Sequence, residues 1–180
     1  TLWASNLNQT LGEAWFTRVI DGARFIGIDS CDPNNVYAPG IDNDQLTWLN
    51  GVLATPHAGP TFAAMHHMRR SGYTRTSPDT YQNPVLDPYY EALWNARVDR
   101  VIVGHAHMFE YTQKLDDEWN LQSDGFRQVM VGTGGQSHIG SNEYNSGLMH
   151  INGQQTVLYR HLNDDAGGSY GATLMTWDAA

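Results

Sequence analysis

The chain is 180 residues long, with a formal charge of −9, 41% apolar residues and only 16% charged ones. That length suits one domain with a core of useful size, and the acidic balance excludes a binder of nucleic-acid backbones, which needs a basic face. No apolar run approaches the roughly 20 residues of a membrane span, and the lone Cys31 excludes an internal disulfide framework or a thiolate zinc cluster.

In chain order, two β-rich runs, Trp15 to Ile20 and Arg24 to Asp29, flank Asp21-Gly22, the signature of a tight hairpin. The run Phe25-Ile-Gly-Ile-Asp29 is nearly all apolar, as a strand buried on both faces would be. A Pro/Asn/Gly loop over 30–41 holds Cys31, read as a packing residue. Asp42 then caps a helix, with Gln45 at the reciprocal capping position and Leu46, Leu49 and Leu53 as its apolar face. Thr61 to Met65 is the next strand, followed by a long polar loop from Arg69 to Leu86. Loops of that length inside compact domains are usually functional or disordered. Asp87-Pro88 reads as a cap and a first-turn proline, and the helix that follows, Tyr89 to Arg97, feeds the strand Arg100 to Val103 as a parallel βαβ unit. Short strands come next: Phe109 to Leu115, Arg127 to Gly132, Gly147 to Asn152, Thr156 to His161 and Thr173 to Trp177. Asn152-Gly153 marks a hairpin, so this half is expected to be antiparallel.

Histidines gather at two of these strand ends. Val101 to Val103 runs into Gly104-His105-Ala106-His107, and Thr61 to Met65 runs into His66-His67. Ligands collect outside the carboxyl ends of strands in α/β folds, and neutral imidazole is the commonest protein ligand for transition metals. Gly104 is expected to supply the bend that lets His105 and His107 face one site. Arg69 and Arg70 follow the first cluster and are placed to grip a phosphate by fork geometry. His138 lies in the glycine-rich loop Gly134-Gly-Gln-Ser-His138 and is a candidate pocket residue. His57 reads as a surface loop residue, and His150 and His161 as structural ones.

Ala63-Ala64-Met65-His66, Gly104-His105-Ala106-His107 and Gln128-Val-Met-Val-Gly-Thr-Gly-Gly135, taken together, resemble the calcineurin-like metallophosphoesterases, especially the purple-acid-phosphatase-like members. That superfamily carries five ordered blocks: D-x-H, G-D-x-x-D/Y, G-N-H-D/E, V-x-x-H and G-H-x-H. The last two match here in order, Asp29 falls where members often have Leu-Asp-Ser, and Met108-Phe-Glu-Tyr111 is similar to the Ala-Tyr-Glu-Arg continuation. Ala63 and Met68 depart mildly from the usual valine and proline, and the first three blocks do not occur.

The resemblance covers roughly 15–160 and implies a layered α/β/β/α sandwich of mixed sheets, incomplete at its N-terminus. Residues 1–180 are then the C-terminal part of a single catalytic domain, with the missing blocks expected before Thr1. The implied parent activity is phosphoester hydrolysis at two metal ions (zinc, manganese or iron) that clamp phosphate and acidify a water. By position, His66 and His105 would ligate one metal and His107 the other, with His67, Arg69 and His138 contacting substrate. This chain would then hold one partial site and turn over weakly alone. Two alternatives stay open: a single-metal protein using the histidines alone, and a non-catalytic interaction module keeping the second half of the fold. The expected partner is a small phosphoester. Neither nucleic acid nor membrane is expected, and self-association through uncovered surface is. Compartment is not fixed by the sequence, an extracellular or periplasmic one being favoured.

Overall fold

The computed structural model describes residues 14–71 and 81–133, together with the strands at 150–151, 154–155 and 157–161. Seven of its strands form one sheet. They are β1 (Phe16–Ile20), β2 (Ala23–Gly27), β5 (Thr61–Met65), β8 (Arg100–Val103), β9 (Phe109–Thr112), β10 (Arg127–Val131) and β13 (Val157–His161). Their order across the sheet is β1-β2-β5-β8-β10-β9-β13. The two-stranded pairs are β3 (Cys31–Asp32) with β4 (Asn35–Pro39), β6 (Arg70–Ser71) with β7 (Tyr81–Gln82), and β11 (His150–Ile151) with β12 (Gln154–Gln155). Among the described residues the helices are α1 (Asn43–Leu53) and α2 (Asp87–Asn95), the latter entered through a 3₁₀ turn at Pro84–Leu86.

The four central strands, β2, β5, β8 and β10, are mutually parallel. Ile26, Ala63, Val101, Val103 and Met130 are buried on one face in the apolar cluster, whereas Phe25 and Ile102 on the other face are half-buried and Ala64 is exposed. Helix α1 carries the chain from β2 to β5, and α2 from β5 to β8. Both crossovers have the length that parallel neighbours require. Leu49, Tyr89, Tyr90 and Leu93 of the helices are wholly buried with the sheet residues in one apolar cluster. The fold is therefore mixed α/β, as expected. Of the sandwich anticipated from sequence, the described residues hold this one large sheet with its helices.

Antiparallel strands flank the parallel centre: β1 on β2, and β9 and β13 beyond β10. The later half was expected to be antiparallel throughout, yet β10 pairs parallel with β8. The β1–β2 hairpin closes at Asp21 and Gly22, whose φ values of 47° and 78° are the left-handed pair that a two-residue turn needs. β11 and β12 pair around Asn152-Gly153 as that dipeptide predicts, although the dipeptide itself lies outside the described residues. The expected strand Thr173 to Trp177 also lies outside them.

Two caps differ from their sequence reading. Asp42 does cap α1, accepting from the main-chain N–H of Asp44 at 2.8 Å and of Gln45 at 3.1 Å. Gln45 does not reach back to it. The Gln45 amide instead accepts from the Asp29 N–H, and donates to the Asp29 carbonyl and the Tyr89 hydroxyl, each at 2.7 Å. A buried amide with all these partners is worth more there than as a solvent-facing cap. At α2 the N-cap is Leu86, with no side-chain bond, and Asp87 is the first helical residue. Its carboxylate is taken by Arg69, Nε to Oδ1 at 2.6 Å.

Candidate metal centre

Sheet register brings the histidines together. Met65 on β5 sits level with Val103 on β8, so both strands finish on the same line. The Gly104 N–H extends that pairing by one step, donating to the His66 carbonyl at 3.0 Å. On the other side of β5, Ile28 donates to the Ala64 carbonyl at 2.8 Å and carries Asp29 and Ser30 alongside the same edge. Three neighbouring strands thus deliver Asp29-Ser30, His66-His67 and His105 to one carboxyl-terminal edge, where α/β folds place ligands.

The bend after β8 was expected at Gly104, but His105 itself carries it, with φ at 59°. A non-glycine residue in that region is strained, and such strain gathers at functional sites. The chain then tightens, with Ala106 donating to the Gly104 carbonyl and Met108 to the Ala106 carbonyl, both at 2.8 Å. Glycine is needed at position 132, where a Cβ would lie 1.8 Å from the Ala106 carbonyl oxygen.

Among the described residues, one group of potential metal donors forms: His66, His67 and His105, whose ligating atoms all lie within 4.8 Å of one another. His66 Nε2 lies 3.2 Å from His105 Nδ1. Donors about 2.0–2.1 Å from a tetrahedral ion stand roughly 3.3–3.4 Å apart, so this pair fits a shared ion, or a shared proton. The rings pack edgewise or tilted, with centroids 4.8 to 5.1 Å apart.

The electrostatics favour neutral donors. Burial pushes the His66, His67 and His105 imidazoles below the ordinary histidine range, His105 to about 4. Mutual repulsion adds to it: His107 acts on His66, His66 on His67, and all three neighbours on His105. The Asp29 charge opposes the shift at His66 and His67. A metal can bind only the unprotonated nitrogen, and these rings are held in that form.

The sequence-derived site residues fall into three groups. His66 and His105 are in the cluster, and His67, expected to face substrate, is there with them at 2% exposure. His107, expected as a ligand, is not in that group; it is half-buried and close enough for its charge to act on His66 and His105. Arg69 is buried and holds Asp87, while His138 lies outside the described residues. Sequence reasoning missed Ser30, which is wholly buried and bonded to His67. No local pattern marks it, because its partner is 37 residues away.

The parallel-centred sheet, with histidines converging on its carboxyl edge, gives a mixed α/β fold that resembles metallophosphoesterase-like neighbours among solved structures. Among solved structures, the chain is similar to a purple acid phosphatase, PPD1, from yellow lupin (Lupinus luteus) seeds, with a TM-score of 0.59 at 17% identity. It is also similar to PhoD (TM-score 0.56, 13% identity) and to GAP50, the anchor in the inner membrane complex of Plasmodium (0.51, 17%). These alignments cover 83%, 88% and 85% of this chain, but only 27%, 36% and 45% of the respective neighbours. The chain therefore spans less than half of each, and at these identities the likeness carries the fold alone. No family model and no curated protein sequence matches the chain.

Proposed function

We propose that the chain supplies a metal-binding part of a phosphoester hydrolase, with His66, His67 and His105 as the donors of one ion. The observation that carries this is the three-imidazole cluster, neutral and convergent, at the carboxyl edge of the sheet. When bound, such an ion supplies Lewis acidity toward a phosphoryl oxygen. The chain's own residues orient the ring nitrogens and keep them unprotonated. His107, whose charge acts on His66 and His105, is our candidate for a second ion or for the phosphate, and Arg69 and His138 stay the candidate substrate contacts, although Arg69 is buried against Asp87. Neutral donors alone do not bridge two ions, so hydrolysis by this chain is expected to be slow.

The experiment is a zinc or manganese titration followed by an aryl phosphate assay against free metal and against His66→Ala. A metal-dependent rate above the free-metal rate, lost in the variant, is the expected outcome. A second reading, a non-catalytic module keeping this fold, gains support from GAP50, a similar structure that is an anchor. Zinc binding with no hydrolysis above free metal would favour that reading. No specific metal binding at all would sink the first.

A further inference from the structure

Ser30 touches His67 three times, and all three contacts are attractive only when the ring Nδ1 carries a proton. The Ser30 hydroxyl accepts the main-chain N–H of His67 at 2.8 Å. That hydroxyl and the Ser30 carbonyl each lie 3.1 Å from the ring Nδ1. The carbonyl is itself held in place, accepting the Gly40 N–H at 3.0 Å.

A carbonyl oxygen can only accept. With its proton on Nδ1, the neutral ring donates to both Ser30 oxygens, and none of the three contacts is repulsive. With the proton on Nε2, the Nδ1 lone pair would face the carbonyl lone pairs across 3.1 Å, away from water. Unpaired groups in such surroundings are costly. The bond made by one imidazole nitrogen decides the state of the other.

We propose that Ser30 is a positioning residue that holds His67 as its Nδ1–H tautomer, and so reserves the bare Nε2 for a metal ion shared with His66 and His105. The last step rests on the metal reading above. The tautomer does not, since it belongs to the metal-free chain.

A two-bond ¹H–¹⁵N correlation spectrum of the metal-free protein at neutral pH should show His67 protonated at Nδ1 and bare at Nε2. An Nε2–H tautomer overturns the proposal. His67→Asn keeps an amide donor toward Ser30 but removes the far nitrogen. Its zinc affinity, measured by chelator competition, should fall at least about tenfold, as loss of a donor or its support does. Wild-type affinity in that variant would mean that His67 serves the structure alone, and overturns the donor role. Ser30→Ala should weaken zinc by roughly 10- to 100-fold while the other rings still bind; unchanged affinity overturns the positioning role. His66→Ala separates the two ideas. If it too keeps full affinity, the metal reading has failed, and the tautomer spectrum still decides the role of Ser30.

Discussion

At the end of β5 the two histidines are consecutive and both enter the cluster, whereas at the end of β8 they stand two apart and only His105 does. Spacing alone suggests the reverse, since alternate residues of a strand share a face and consecutive ones do not. The difference lies in what the chain does after each strand. Beyond Met65 it leaves the strand at once, and Ser30 from the neighbouring strand end captures both the main chain and the ring of His67. Beyond Val103 it turns sharply at the left-handed His105, which ends the alternation before His107 is reached. Histidine spacing reports which side chains converge only while the backbone stays extended.

The largest effect should separate members of the cluster from the outlier. His105→Ala should reduce zinc affinity beyond the roughly 10- to 100-fold typical of losing a supporting residue, and His107→Ala should do less. Chelator competition gives both numbers, and equal losses would erase the distinction between the two strand ends. Next in size is the support of the β5 side. Gln45→Ala strips the Asp29 N–H and carbonyl of their buried partner and should cost about 2–6 kcal/mol, at about 1–3 kcal/mol for each orphaned group. Urea unfolding measures it. A cost under about 1 kcal/mol would mean that the Asp29-Ser30 segment is held by other contacts.

pH sharpens the comparison further. The His66, His67 and His105 rings have folded-state values below the unfolded value near 6.5, His105 at about 4. Below about pH 6.5 the unfolded chain takes up protons that the folded chain refuses, so stability falls as pH drops toward 4. Above that range these rings contribute no slope. Urea midpoints of the metal-free protein should decline between pH 6.5 and 4, and His105→Ala should flatten the decline more than His107→Ala does. A flat wild-type profile would contradict the shifts. The smallest effect is a control far from both strand ends: Gly22→Ala, at φ 78° with open space around it, should cost about 1 kcal/mol and leave zinc affinity unchanged. A change in affinity there would mean that the hairpin and the cluster are coupled.

The frame of the fold was legible because its signals are local. Apolar runs marked β5, β8 and β10, the Asp-Gly turn marked the first hairpin, and Asp42 marked the start of α1. What escaped was set by contacts across the fold. Gln45 carries every feature of a capping residue, yet its amide is taken by Asp29, 16 residues away. Asp87 precedes a proline as a cap would, but Arg69 draws its carboxylate into an ion pair. His67 is one residue past the expected ligand, and its membership depends on Ser30 in another strand's loop. Side chains with several possible partners are decided by whichever one burial brings close, and a linear pattern does not contain that information.

The level finish of β5 and β8 has a mechanical consequence. A slip of one residue along either strand moves its end by about 3.3 Å and turns side chains to the opposite face. His66 and His105 would then no longer meet. An ion bound by both would act as a clasp between residues 39 positions apart, tightening only around correctly threaded strands and shortening the loop that the unfolded chain could otherwise explore. Metal would in that way proofread the topology of the sheet.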